Sequence, residues 1–375
     1  MTKCNNYRQN YIDIIKGWAI IMVVVFHVAS DVFSNFGANI LGGNKWNIAI
    51  FFIVGGFFIT TDKLVDYKTF FKRKFKSLYV PATIIYLLAI LLHNVFIDVG
   101  WYPVGETHPG TGITFDYYSA IDYVKQCGAA ILCAGHGELV MGAMWYLYTL
   151  IYALIGLAIV WGICRRFRNA DYIMGIILIS LMTISCILTQ VLQLTINRVN
   201  ITMTAMGLIY IGMLINQKLK LKFNNPWIMA ASVLIFVGSV AIHNIDINLA
   251  RNQYPDVITL VAVSCCFLYV VGFFAKTIEN SILGNILAYI GRDSLYIMAL
   301  HILGLFACNS ILLKCGVFAS TSSHGMYTYL LNGSIWMLLI YTVFGVSVPL
   351  LIMYVFRKII GIESQANSIR TLEQQ

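Results

Sequence analysis

Ten apolar runs, most of them about long enough to cross a bilayer, recur along the 375-residue chain. They lie near 12–33, 46–61, 80–97, 141–163, 172–193, 199–216, 226–243, 257–275, 292–313 and 330–356, and the second is short. A helix of about 20 apolar residues spans the ~30 Å hydrocarbon layer. Inside that layer each backbone N–H and C=O must be satisfied within the segment, so such runs can only be helices. Composition agrees, with 59% hydrophobic and 11% charged residues. An ordinary globular domain carries about 25% charged residues. So little charge cannot clothe a soluble enzyme, a disordered chain or a nucleic-acid-binding domain. The first run is not a cleaved signal peptide, because it is too long, contains His27 and lacks an A-x-A site. The expectation is an all-α integral membrane protein with about ten transmembrane helices. A single domain occupies 1–356, and a short polar tail occupies 357–375.

Charge placement sets the orientation. Connections on one side hold 20 of the 25 Lys and Arg and half of the 16 acids, which makes that side +12 and the other −3. Lys and Arg concentrate on the cytoplasmic side, so both termini are expected there. The longest outer connection, 98–140, contains WYPVGETHPGTG and GHGE and reads as an irregular loop. No internal repeat of the kind built into many transporters is evident. The nine cysteines show no metal spacing. Cys127 and Cys133 are close enough in sequence to meet, although sequence alone cannot establish pairing.

Ionisable groups are expensive inside a span and are functional candidates. Helix 1 carries the strongest set: Asp13, Lys16, His27 and Asp31. Lys16 and His27 are eleven residues apart, which returns to within about 20° of one azimuth and spans roughly 16 Å of axis. A cation therefore sits at the inner end of a stripe and an imidazole deep along it. Such a stripe suits proton abstraction by His27 beside an anionic ligand held by Lys16. The plainer alternative makes Asp13 and Lys16 interface anchors and His27 a hydrogen-bonding group within the bundle.

Other segments also admit two readings. Lys72, Arg73, Lys74 and Lys76 crowd the first inner loop, either as positive-inside anchors that attract anionic lipid or as a phosphate-binding patch. Trp145, Tyr146 and Tyr148 form an aromatic belt or a platform for a sugar ring. His136 and Glu138, on the outer side, either perform acid–base work on an acceptor or are simply solvated. Ser294 and His301 share a face but are two turns apart, too far for a nucleophile–base pair, so they read as helix-packing groups. His93, His108, His243 and His324 carry no usable pattern, and no metal site is expected.

In order along the chain, these segments resemble the membrane acyltransferase-3 family. DIIKGWAIIMVVVFH matches its opening signature at Asp13, Lys16, Gly17 and His27. The family more often has Arg at the Lys16 position, and Lys looks more like the branch of fucose and other glycan O-acetylases. FFIVGGFFI resembles the helix 2 segment, with Gly55 in place of the usual Ser and Gly56 matching. KRKFKSLYVP resembles the basic segment that ends at Pro81. MWYLY and GRDSLYIMALH resemble two later helix starts.

The resemblance implies an enzyme that moves an acyl group, usually acetyl, from cytoplasmic acyl-CoA to a hydroxyl of a glycan or lipid-linked sugar. Acetyl-CoA would be a co-substrate, with no bound cofactor, and the setting would be the bacterial cytoplasmic membrane. His27 would be the catalytic base or, less commonly, the acyl carrier. Lys16, Lys72, Arg73 and Lys76 would meet the donor, and Trp145 and His301 would line the core cavity. Two rival classes remain at this stage. One is a permease for a sugar or lipid-linked glycan, and the other a scaffold within a polysaccharide-synthesis complex.

Overall fold

A computed structural model describes residues 10–32, 44–107, 114–135, 137–196, 198–243, 247–317 and 335–359, with backbone alone at 29–32, 44–45 and 240–243. Among these residues there is no strand beyond two isolated bridges, Thr107–Thr114 and Asn248–Gln253. Eight helices are long and apolar enough to cross a membrane. Two shorter apolar helices, Trp46–Phe57 and Pro226–Ser239, stand where the second and seventh runs were expected. The chain is a multi-pass membrane protein.

The first helix, α1 (Asn10–Val32), is central. Its Ile14, Ile15, Ala19, Ile20, Val23 and Val24 are at most 1% exposed. It packs against α2 (Asn44–Phe57), α12 (Val257–Thr277), α13 (Ile282–Arg292), α14 (Ser294–Lys314) and α15 (Ile335–Ile359). Between α1 and α2 on one side and α12 on the other lie nine described α-helices. They are α3 (Thr61–Val65), α4 (Tyr67–Lys74), α5 (Val80–Leu91), α6 (His93–Asp98), α7 (Ala120–Ile131), α8 (Met144–Cys164), α9 (Ala170–Cys186) and α10 (Val199–Leu214), followed by α11 (Pro226–His243). Small residues set the closest crossings, as they do where apolar helices have no solvent to drive them together. A Cβ on Gly56 would lie 2.0 Å from Ile209 O, and one on Gly212 would lie 1.8 Å from Ile53 O, so α2 and α10 meet backbone to backbone.

Three expectations change. The basic segment 72–76 is not a loop. It is helical, in α4 and a π turn (Phe75–Tyr79), and continues directly into α5. Pro81 explains the π turn, because it has no N–H to give and its ring clashes with the carbonyl four residues back. A widened turn, in which Val80 N–H donates to Phe75 O, lets the helix run on.

Second, the outer connection is not wholly irregular. It contains α7, started by a capping box between Ser119 and Asp122. The end of α7 turns back into the bundle: the Tyr79 hydroxyl donates to Ile131 O and the Tyr152 hydroxyl to Leu132 O, both at 2.7 Å. Tyr152 lies eight residues into α8, roughly 12 Å along its axis. Cys127 and Cys133 are both free thiols, so no disulfide closes this segment.

Third, the ninth run has a separate amphipathic helix before it. In α13, Gly284, Leu287, Ala288, Ile290 and Gly291 are buried, whereas Ile282, Leu283, Ile286 and Tyr289 are exposed. Asp293 ends it, and α14 begins one residue later.

Candidate active site

Residues on α1 and α14 meet in the bundle core. The His27 and His301 ring centroids are 5.1 Å apart with a 41° tilt, and Phe26 packs edge-on against His27 at 5.6 Å. His301 is fully buried, whereas His27 keeps partial exposure. Helical spacing alone could not pair them, since 274 residues separate them. His301 Nδ1 faces Ile297 O at 3.0 Å and Met298 O at 3.1 Å. Two carbonyl oxygens can only accept, so Nδ1 carries the hydrogen and Nε2 presents a bare lone pair. Among the described residues no group hydrogen-bonds that buried Nε2. An unsatisfied acceptor in a core costs about 1–3 kcal/mol, so its place beside His27 asks for a reason, and a role in the chemistry supplies one.

Lys16 lies one turn along α1 from Asp13, and its Nζ meets the Asp13 carboxylate at 2.6 Å, with 20% of its side chain exposed against 3% for Asp13. The cation is therefore already offset by a carboxylate. It also lies 6.0 Å from the Phe58 ring, just past the end of α2. Lys63 Nζ donates to Phe58 O at 2.8 Å, and Lys63 in turn repels Lys74. Lys16 and Lys63 thus flank one mouth of the bundle, close to the helical segment that carries Lys74. Lys72, Arg73 and Lys76 lie exposed on the same helical segment. A close crossing holds this mouth in place. A Cβ on Gly17 would lie 2.0 Å from Leu287 O and one on Gly291 1.8 Å from Asp13 O, so α1 and α13 touch through bare backbone. Arg357 on α15 grips Asp293 with two hydrogen bonds at the α13–α14 junction. The helix that carries His301 is thereby tied to the one that carries Lys16.

The remaining candidates lie elsewhere. Ser294 is the first residue of α14 and half-buried, two turns from His301. The Trp145 ring packs on Tyr146, and its carbonyl oxygen accepts from Thr149 Oγ1 at 2.7 Å. Glu138 is not a solvated loop acid; it is 1% exposed and paired with His93. His93 Nδ1 lies 3.0 Å from Glu138 Oε1, and Nε2 lies 3.0 Å from Asp116 O. Nε2 therefore donates to the Asp116 carbonyl oxygen, and Nδ1 faces the Glu138 carboxyl group. Tyr102 donates to Glu138 Oε2 at 3.1 Å, and Tyr118 stacks on His93 at 3.4 Å. Burial, followed by the Glu138 carboxyl, holds the Tyr102 hydroxyl well above its ordinary pKa, so it remains a donor. His136 and the Asp31 side chain lie outside the described residues.

Sequence reasoning passed over His93, Arg198, Lys63 and the Asp293–Arg357 pair. Arg198 is 9% exposed, stacks 5.1 Å from the Tyr148 ring centroid, and donates to Gly135 O at 3.2 Å. Lys63 bonds a carbonyl only five residues back, but the other partners are distant in sequence, so no local pattern marks them. Among the described residues no three His, Cys, Asp or Glu side chains gather as a metal site.

The sequence profile of the acyltransferase-3 family, described as an acyltransferase domain, matches residues 9–354. No curated protein and no solved structure matches the chain. The profile spans all the elements from α1 nearly to the end of α15, including both histidines and that mouth. The chain belongs to the acyltransferase-3 family and is a multi-pass membrane acyltransferase.

Proposed function

We propose that this acyltransferase moves an acetyl group from cytoplasmic acetyl-CoA to a hydroxyl of a cell-surface glycan or lipid-linked sugar, in the bacterial cytoplasmic membrane. The observation that carries this reading is the contact between His27 and His301 in the bundle core. In this reaction the acceptor oxygen attacks the thioester carbonyl and its proton passes to the His27 imidazole. The tetrahedral intermediate then expels the CoA thiolate, which takes the proton back. A neutral imidazole is the side chain best suited to both proton transfers near neutral pH. His301, held as the Nδ1–H tautomer, stands beside the ring that becomes positive with a lone pair rather than a competing hydrogen.

The donor is polyanionic, so its phosphates belong at the inner mouth. Lys16 and the exposed Lys72, Arg73 and Lys76 supply the positive charge there, with Lys63 beside them. Only the thioester arm need travel the roughly 16 Å from Lys16 to His27. Acceptor contacts on the outer side fall to Asp31 on α1 and to the connection that carries His136 and Glu138, with Trp145 lining the core cavity.

The test is acetyl transfer from labelled acetyl-CoA into envelope glycans by membranes containing the wild-type protein or His27→Ala. Loss of label at unchanged protein level is expected. Full labelling in the variant overturns the assignment. A permease predicts no acetyl-CoA-dependent product at all, and the family membership already favours the enzyme.

A further inference from the structure

A groove on the apolar flank of the bundle has neither His27 nor His301 in its lining. It encloses about 290 Å³ between the π-turn segment, α8 and the turned-back end of α7. Phe71, Phe75, Leu78, Ile151 and Ile155 line its walls, and Ile131–Cys133 close its far end. Its rim is open: Phe75 is 53% exposed, Leu132 71% and Ile155 39%. Lys74 stands at its inner end.

The geometry of the helix separates Lys74 from its neighbours. At 100° per residue, Lys72, Arg73 and Lys76 fall within about 100° of one another, whereas Lys74 lies about 200° from Lys72 and on the side of Phe71, Phe75 and Leu78. Lys74 is half-buried, with its Nζ 5.8 Å from the Phe70 ring. Among the described residues no carboxylate pairs with it. From Phe71 to Tyr79 the groove rises roughly 12 Å, close to the ~15 Å half-thickness of the hydrocarbon layer.

We infer that this groove holds one chain of an anionic phospholipid of the inner leaflet, with its phosphate on Lys74 and its tail against Ile131–Cys133. An apolar groove facing hydrocarbon is filled by hydrocarbon, since a void forfeits dispersion contacts. The tail gains little by leaving bulk lipid for the groove, so the headgroup sets the selectivity. The occupant packs against Ile131 and Leu132, whose carbonyl oxygens Tyr79 and Tyr152 hold. The lipid thereby becomes a buttress for the segment that turns back from the outer face. The inference does not depend on the acyl-transfer reading, and its test reads binding rather than activity.

The full-length protein is reconstituted in mixed phosphatidylglycerol–phosphatidylcholine vesicles, extracted gently, and its retained lipids are quantified. Wild type should enrich phosphatidylglycerol, and Lys74→Gln should lower that enrichment about fivefold, the worth of one basic contact with an anionic leaflet. Ile155→Trp, which fills the groove without touching charge, should lower retention of both lipids. In wild type, a phosphatidylglycerol bearing a photoreactive tail should cross-link at Ile131–Cys133 and 151–155. Three results overturn the inference: enrichment unchanged in Lys74→Gln; enrichment lost equally when Lys72, Arg73 and Lys76 are replaced and Lys74 is kept; or cross-links spread evenly over the lipid-facing helices.

Discussion

Replacing Gly17 by Ala tests whether the backbone contact between α1 and α13 sets the active-site geometry. The added Cβ would stand 2.0 Å from the Leu287 carbonyl oxygen, where ordinary contact begins at 3.4 Å. Leu287 O belongs to helix backbone and cannot swing aside as a side chain would. The two helices must therefore part by about 1.4 Å at the crossing. Overpacking of this kind costs about 1–3 kcal/mol. The displacement falls within one turn of the Asp13–Lys16 pair, and α13 passes it to α14 through the junction at Asp293. Misplacement by about 1 Å can cost about 100-fold in rate. The expected result is a fall of about 10–100-fold in acetyl transfer per folded molecule, with a lowered thermal midpoint. Gly55→Ala is the matched control, because its Cβ would meet nothing within 4 Å. In a helix interior it should be neutral or stabilise by up to about 1 kcal/mol. If Gly17→Ala behaved like Gly55→Ala in both activity and midpoint, the crossing would not position the site.

Three further outcomes are expected. His301→Phe keeps a ring against His27 but removes the Nε2 lone pair; acetyl transfer should fall about 10²–10⁴-fold with the KM for acetyl-CoA nearly unchanged, and a wild-type rate would exclude His301 from the chemistry. Glu138→Ala strands His93 without its partner in a buried pair, at about 3–5 kcal/mol; limited proteolysis should then cut within 99–119, and resistance equal to wild type would show that the pair does not hold this segment. Asp256 caps α12, and its hydrogen bonds with Thr259 hold its pKa below the ordinary 3.8. Its contribution is present above that value and lost as pH falls through the folded pKa, so the thermal midpoint should drop below about pH 4. Asp256→Asn, which keeps a cap, should remove that part of the acid dependence, and an unaltered profile would place the effect elsewhere.

The stripe on α1 was legible in sequence because one helix carries all of it. A fixed 100° step places Lys16 and His27 on one side whatever surrounds them. His301 could be placed near mid-span for the same reason. That the two imidazoles touch was not legible, because it depends on how α14 is docked. The docking depends on Gly17 against Leu287 and on Arg357 against Asp293, contacts between residues far apart in the sequence. Glu138 shows the same limit in reverse. Beside His136 it reads as an acid–base pair, but its partner in the fold is His93, 45 residues away in sequence.

The sequence by itself determined that this chain is a set of apolar helices with scarce, costly charges, and on which helix face His27 lies. Hydrocarbon leaves the backbone no alternative to the helix, and helical period is a local property. Tertiary structure alone decided which polar groups neutralise one another, where the outer segment turns back, and that His301 presents a bare nitrogen next to His27. In a chain this apolar the hydrophobic effect does not choose helix partners. Close packing of small residues and a few buried hydrogen bonds do, and those become visible only when the helices are assembled.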